Sequence, residues 1–148
     1  MVDVQTEMMI CCPIRVVSEY TANPDHASEW YVNIKSVEWI TSRPLRLGSR
    51  VAFKANFLGR ELAYEYEIVE FRSGERLVMR TVNGPFPMET SYEWVSVSPT
   101  ETLMKLRNRG KPSGFSKLFA PMVGSAMRKA NLKDLKKAKS ILENKHLD

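Results

Sequence analysis

Side chains suited to covalent or metal chemistry are few in this 148-residue chain, and they are poorly grouped. Catalysis of the Ser–His–acid kind needs a placed imidazole, and the only histidines are His26 and His146. The first falls in a short helical stretch and the second near the end of the sequence, so both read as surface residues. Cys11 and Cys12 are adjacent. Neighbours on a strand point to opposite faces, which sets these two badly for bridging one another, and neither has a visible base. No group of His, Cys, Asp and Glu has metal-ligand spacing. The seven glycines are isolated, which excludes a phosphate-cradling loop. Neither a metal nor a cofactor is expected.

What remains is a set of phenols and one amide inside runs of alternating hydrophobicity. Tyr64, Tyr66 and Tyr92 share the inward phase of their runs, and Asn108 has the inward phase of another. Buried phenols and amides need hydrogen-bond partners, so these groups either orient a ligand or bond to backbone and to each other. Taking the same phase throughout, the inward wall is Phe53, Phe57, Tyr64, Tyr66, Met79, Thr81, Tyr92, Trp94, Met104 and Asn108. Phe119, Met122, Ala126 and Met127 face it from a helix. An apolar wall with a few hydroxyls and one amide is the make-up of a small-molecule pocket, and flexible Met suits adaptable binding. The same residue types also fill ordinary cores. Glu65, Glu67, Glu89 and Glu93 take the outer phase, where cross-strand pairing with Arg76, Arg80, Lys105 and Arg107 accounts for them. No inward carboxylate is expected.

The elements that would position these groups follow from the same periodicities. Val2, Val4, Thr6, Met8 and Ile10 alternate with polar residues as in a half-buried strand. Pro13 then opens a short helix over 13–21, and Asn23 before Pro24 caps a second one running through residue 31. Six further period-2 runs follow, centred on Val37, Phe53, Tyr66, Met79, Tyr92 and Leu106. They are separated by short breaks at Pro44 and Gly48, Leu58-Gly59, Ser73-Gly74, Gly84-Pro85 with Pro87, and Ser98-Pro99. Short links favour an antiparallel meander. From Ser113 the pattern turns helical, with Phe115, Leu118, Phe119, Met122, Ala126, Met127, Ala130, Leu135, Ala138 and Leu142 as the apolar stripe. Pro121 is expected to kink this helix into a piece ending at residue 120 and a longer one ending near Asn144. A long sheet must cover its apolar face, and this helix is the one element long enough to do so.

The length suits one domain, 1–148, and the 43% apolar and 26% charged content is that of an ordinary globular protein. Net charge is divided unevenly: −4 over residues 1–104 and +9 over 105–148. Lys129, Lys133, Lys136, Lys137 and Lys139 carry part of the excess. They read as the solvated face of the amphipathic helix, with weak docking to an anionic surface as the sharper alternative. Aromatic residues are not interleaved with them, so nucleic acid is not an expected partner. The N-terminus has no basic and apolar leader pattern, and no apolar run approaches the ~18 residues of a membrane span. With cysteines unsuited to pairing, a reduced cytoplasmic setting is expected.

The sequence resembles the START/Bet v 1-like (SRPBCC) helix-grip superfamily, and within it the polyketide cyclase/dehydrase-like branch. The resemblance is carried by Glu29-Trp30-Tyr31, Val37-Glu38-Trp39, Gly48-Ser49-Arg50, Tyr64-Glu65-Tyr66-Glu67, Gly84-Pro85-Phe86-Pro87-Met88-Glu89-Thr90 and Arg107-Asn108-Arg109-Gly110. It spans essentially the whole chain, and its element order agrees with the periodicity. It implies an α+β helix-grip fold: a curved antiparallel sheet of about seven strands, two short helices after the first strand, and a long C-terminal helix across the sheet. It further implies a hydrophobic cavity for a lipid, polyketide, quinone or similar molecule. It does not decide between binding and catalysis. The scarcity of acid, base and metal groups favours a binding module. A cyclase or dehydratase working through Tyr64, Tyr66, Tyr92 or Asn108 is the second reading, and an interaction protein docking on a ribosome or membrane through the basic helix is the third.

Overall fold

The computed structural model describes residues 2–84, 87–111 and 120–147. β1 (Val2–Ile10) is followed by α1 (Ile14–Ala22), a 3₁₀ turn (Pro24–His26) and α2 (Ala27–Trp30). Then come β2 (Ile34–Trp39), β3 (Arg50–Phe57), β4 (Arg60–Arg72), β5 (Arg76–Asn83), β6 (Met88–Ser98), β7 (Glu101–Gly110) and α3 (Ala120–Leu147). Pro13 stands at the N-cap of α1, and the Asn23 side chain accepts from the Asp25 N–H as expected of a cap.

The strands form one seven-stranded antiparallel sheet in the order β1-β7-β6-β5-β4-β3-β2. The meander of β2 to β7 is thus closed by β1, which returns to pair with β7. Period-2 burial runs through β1, β4, β6 and β7, with Val2, Val4 and Thr6, then Leu62, Tyr64, Tyr66 and Ile68, then Thr90, Tyr92 and Trp94 turned inward. Register shifts at Glu65/Tyr66 and Ile68/Glu70 in β4, and at Ile34/Ser36 in β2, break the regular ladder, and breaks of this kind bend and twist a strand locally. The two-residue β3–β4 turn holds Leu58 and Gly59 at φ 52° and 75°, the left-handed pair that a primed hairpin turn requires. At Gly110 an added Cβ would lie 2.7 Å from the Pro87 carbonyl oxygen, so the approach of the β5–β6 link to β7 requires glycine there.

α3 starts at Ala120, which places Pro121 in its first turn rather than at an internal kink. The expected piece before it, with Phe115, Leu118 and Phe119, lies outside the described residues. α3 crosses the sheet along β1, where Arg128 and Lys139 donate to the Gln5 and Met9 carbonyl oxygens. Leu135, Ala138 and Leu142 join a large core with Ile10, Val17, Trp30, Leu77, Met104 and Leu106. Toward the start of the helix, Val123 and Met127 form a separate small cluster with Val2, Val4 and Met88. The two clusters do not merge, and the space between them is the feature of interest.

On the outer face Glu65, Glu67, Glu89 and Glu93 are paired, though not in every case as expected. Glu65 and Glu67 meet Arg50 of β3; Glu89 meets Arg80 and Arg109; Glu93 meets Arg76; and Arg107 pairs with Asp3.

Candidate functional site

A cavity of about 140 Å³ lies between the sheet and α3. Its sheet wall is Phe53, Ala55 and Phe57 from β3, Leu62, Tyr64 and Tyr66 from β4, Met79 from β5, Met88, Thr90 and Tyr92 from β6, and Asn108 from β7. Its roof is Met127, Ala130, Asn131 and Asp134 of α3, and Tyr31 and Ile34 close one side. It reaches the surface beside Asn33 and Asn56, which line it and are exposed. The wall is chiefly rings and thioethers: Phe53 and Tyr66 meet edge to face at 5.7 Å, and Tyr64 and Tyr66 lie 5.9 Å apart.

Polar groups interrupt this surface. The Tyr31 and Tyr92 hydroxyls are hydrogen-bonded to each other. Register puts Thr90 directly opposite Asn108, and the Thr90 hydroxyl donates to Asn108 Oδ1 at 2.6 Å. The Tyr66 hydroxyl donates to Met88 Sδ at 3.4 Å. On the roof, Asp134 Oδ1 accepts from the Val32 N–H at 2.9 Å, and Asn131 Nδ2 is buried with no partner among the described residues. An unpaired buried amide N–H is uncommon and costly.

Burial sets the protonation states. It pushes the Tyr66 phenol up to about 12 and raises Tyr31, Tyr64 and Tyr92 as well, so all four are neutral across the physiological range. Burial also lifts the Asp134 carboxyl to about 6, against the opposing pull of the Val32 N–H and the Lys137 charge. Among the described residues of the lining, Asp134 is therefore the one group that exchanges a proton near neutrality. Among the described residues, no Lys, Arg or His lines the cavity, and no cluster of His, Cys, Asp and Glu is arranged to hold a metal.

A family model described as polyketide cyclase / dehydrase and lipid transport matches residues 1–143. The chain belongs to this family. Solved structures of similar fold include a Thermus thermophilus protein at 16% identity (TM-score 0.83, covering 96% of this chain and 97% of that one). The Zhui aromatase/cyclase of a Streptomyces species follows at 12% identity (TM-score 0.81, 95% and 93%). A START superfamily protein of Mycobacterium smegmatis matches at 13% identity (TM-score 0.80, 96% and 97%). No curated protein gives a sequence match. At these identities the structures establish the shared helix-grip fold, and the residues of this member of the polyketide cyclase/dehydrase family must speak for its site.

The structure brings eight of the expected wall residues together around the cavity: Phe53, Phe57, Tyr64, Tyr66, Met79, Tyr92, Asn108 and Met127. Others are placed elsewhere. Met104 is fully buried in the main core, and Trp94 points toward α1, donating from its indole to Thr21 Oγ1 at 3.0 Å. Thr81 bonds across the β5–β6 hairpin to the backbone of Met88. Met122 is 60% exposed, and Ala126 is only half-buried and off the cavity. Five residues separate Met122 from Met127, about 140° around a helix, so both cannot face one wall; Val123, one turn before Met127, is the buried residue. Phe119 lies outside the described residues. The expectation that no carboxylate points inward is corrected by Asp134, which periodicity could have found: Met127, Ala130, Asn131 and Asp134 follow the i, i+3, i+4, i+7 rule. Lys129, Lys133, Lys136 and Lys137 are exposed on α3, as a solvated face requires. No helix of the described residues is long and apolar enough to cross a membrane.

Proposed function

We propose that this protein binds a hydrophobic small molecule, of the lipid, polyketide or quinone kind, in the cavity between its sheet and α3. The observation that carries this reading is a hollow left open between two well-packed clusters, walled by rings and thioethers and roofed by a buried amide with an unused hydrogen. A core selected only for stability closes such gaps, because each costs dispersion contacts and leaves the amide desolvated. Family membership supports the same reading. The test is native mass spectrometry after incubation with a mixed lipid and quinone extract. A stoichiometric adduct that Ala130→Trp abolishes, with the fold intact by circular dichroism, is expected; absence of any adduct contradicts the proposal.

Catalysis of the cyclase or dehydratase type is the second reading, and Asp134 is what favours it. A carboxyl near pKa 6, in the same lining as the Tyr31–Tyr92 pair, can give or take a proton at neutral pH, while neutral phenols stabilise a developing enolate by hydrogen bonding. Turnover of an aromatic polyketide precursor that is lost in Asp134→Asn would establish it. Binding of the precursor without conversion would leave the first reading standing alone.

A further inference from the structure

Exposed apolar side chains and cations without ion pairs flank the mouth of the cavity, and the inference drawn from them rests on the ligand-binding reading above. The mouth lies beside Asn33 and Asn56, where the Asn56 N–H donates to the Asn33 carbonyl at 2.9 Å. Val32 precedes Asn33, and its N–H donates to Asp134 of α3. Leu58 stands in the hairpin turn that Asn56 and Phe57 lead into. Both Val32 and Leu58 are 49% exposed. Leu58 is doubly unfavourable for a surface that meets only water. Its side chain is apolar and exposed, and its φ of 52° is a conformation better suited to Gly, Asn or Asp.

The other side of the mouth is α3. Ala130 lines the cavity, and residues three or four apart are neighbours along a helix flank. Such steps lead from Ala130 back to Ala126 and Met122, and on to Lys133 and Lys137. Met122 and both lysines are exposed, as are Lys129 and Lys136. Among the described residues the one ion pair on α3 is Lys139 with Glu143, so these four lysines form none. Lys35 and Glu61, at the strand side, offset each other. A single exposed apolar residue needs no explanation, but apolar residues collected at the opening of a cavity beside unneutralised cations do. A layer that is anionic at its surface and apolar beneath satisfies both sets, and a bilayer containing anionic lipid is such a layer. A nucleic acid would meet the lysines and leave Leu58 and Met122 in water.

We infer that the protein docks on anionic lipid bilayers through the mouth of its cavity. Leu58, Val32 and Met122 enter the headgroup region, and the α3 lysines lie against the lipid phosphates. Docked in this way the cavity opens into the membrane, and an apolar ligand passes between the two without crossing water. Leu58 is thereby a membrane-binding residue, present despite the strain of its turn.

Co-sedimentation of the full chain with ligand-free vesicles tests this, using phosphatidylcholine alone or with about 30% phosphatidylglycerol. Binding to the anionic vesicles is expected to be about tenfold or more tighter, and to weaken as salt rises. Leu58→Asn relieves the turn and keeps the fold, and is expected to lower vesicle binding about fivefold or more. Lys133→Gln and Lys137→Gln are each expected to lower it about fivefold. Lys105→Gln, on the outer face of β7, is expected to change it little. Equal binding to the two vesicles, binding to neither, or salt-sensitive binding that Leu58→Asn leaves untouched would each overturn the inference. Ligand uptake from solution by a protein that ignores both vesicles removes the docking face alone. Vesicle binding by a protein that yields no ligand adduct removes the cavity reading and leaves the docking face standing.

Discussion

At the scale of single residues, Asp134 is the most informative side chain of the molecule. It is the one acid between Ala120 and Ile141 in a helix otherwise rich in lysine, and it is turned inward. Its carboxyl rises from an ordinary value near 4 to about 6 on folding, because burial disfavours the charge. The native state therefore holds more protons than the unfolded chain between those values, and stability falls as pH rises through that window. The full shift corresponds to a cost on the order of 2–3 kcal/mol above pH 6. The groups that face it are Tyr31 and Tyr92, whose raised phenols stay neutral throughout, and Lys137 on its own helix, which stays charged. Asp134→Asn keeps the oxygen that accepts from Val32. It is expected to be more stable than the wild type at pH 7.5 by about 1–3 kcal/mol, with the difference vanishing near pH 4. Urea midpoints at the two pH values check this. Asp3, Asp25, Glu89 and Glu143 have lowered carboxyls and slope the opposite way, but equally in both proteins, so the difference isolates Asp134.

At the scale of elements, strands were far more legible than the helix that roofs the site. A period of two leaves no freedom of phase: once Tyr64 is inward, so are Leu62, Tyr66 and Ile68, and the structure agrees. Bulges in β4 shift the pairing without hiding the pattern. Helical phase is looser, and carrying one stripe across Pro121 rotated it, bringing Met122 inward and leaving Val123 out. Asn131 and Asp134 share the helical phase of Met127 and Ala130, so spacing marks their side of α3, while their polarity by itself points to solvent. Tyr31, at the end of α2, is placed in the cavity by tertiary packing alone. Local strain can be tested at the β3–β4 turn, where Leu58 has a left-handed backbone and an exposed side chain. Leu58→Asn suits that conformation better and is expected to raise stability by roughly 0.5–1 kcal/mol in chemical denaturation. No change, or a loss, would show that the leucine side chain is doing something for the fold.

For the molecule as a whole, the fold explains why a cavity exists at all. One edge of the sheet, β1, is held by α3, while β3 and β4 supply the wall that faces the same helix across the cavity. The large core under α1, α2 and the second half of α3 is closed by Trp30, Leu135 and Leu142, while the small cluster at Val123 and Met127 closes the other end. Between them the structure keeps a space whose walls belong to both. Methionines sample this arrangement directly: Met79, Met88 and Met127 line the cavity, Met104 is packed in the core, and Met9 and Met122 are exposed. With methyl-labelled methionine, titration with acetophenone is expected to move the Met79, Met88 and Met127 methyl resonances together, with one affinity, while Met9 and Met122 stay still. Movement confined to Met9 and Met122, or no movement at the three lining methyls, would contradict a ligand site between sheet and helix.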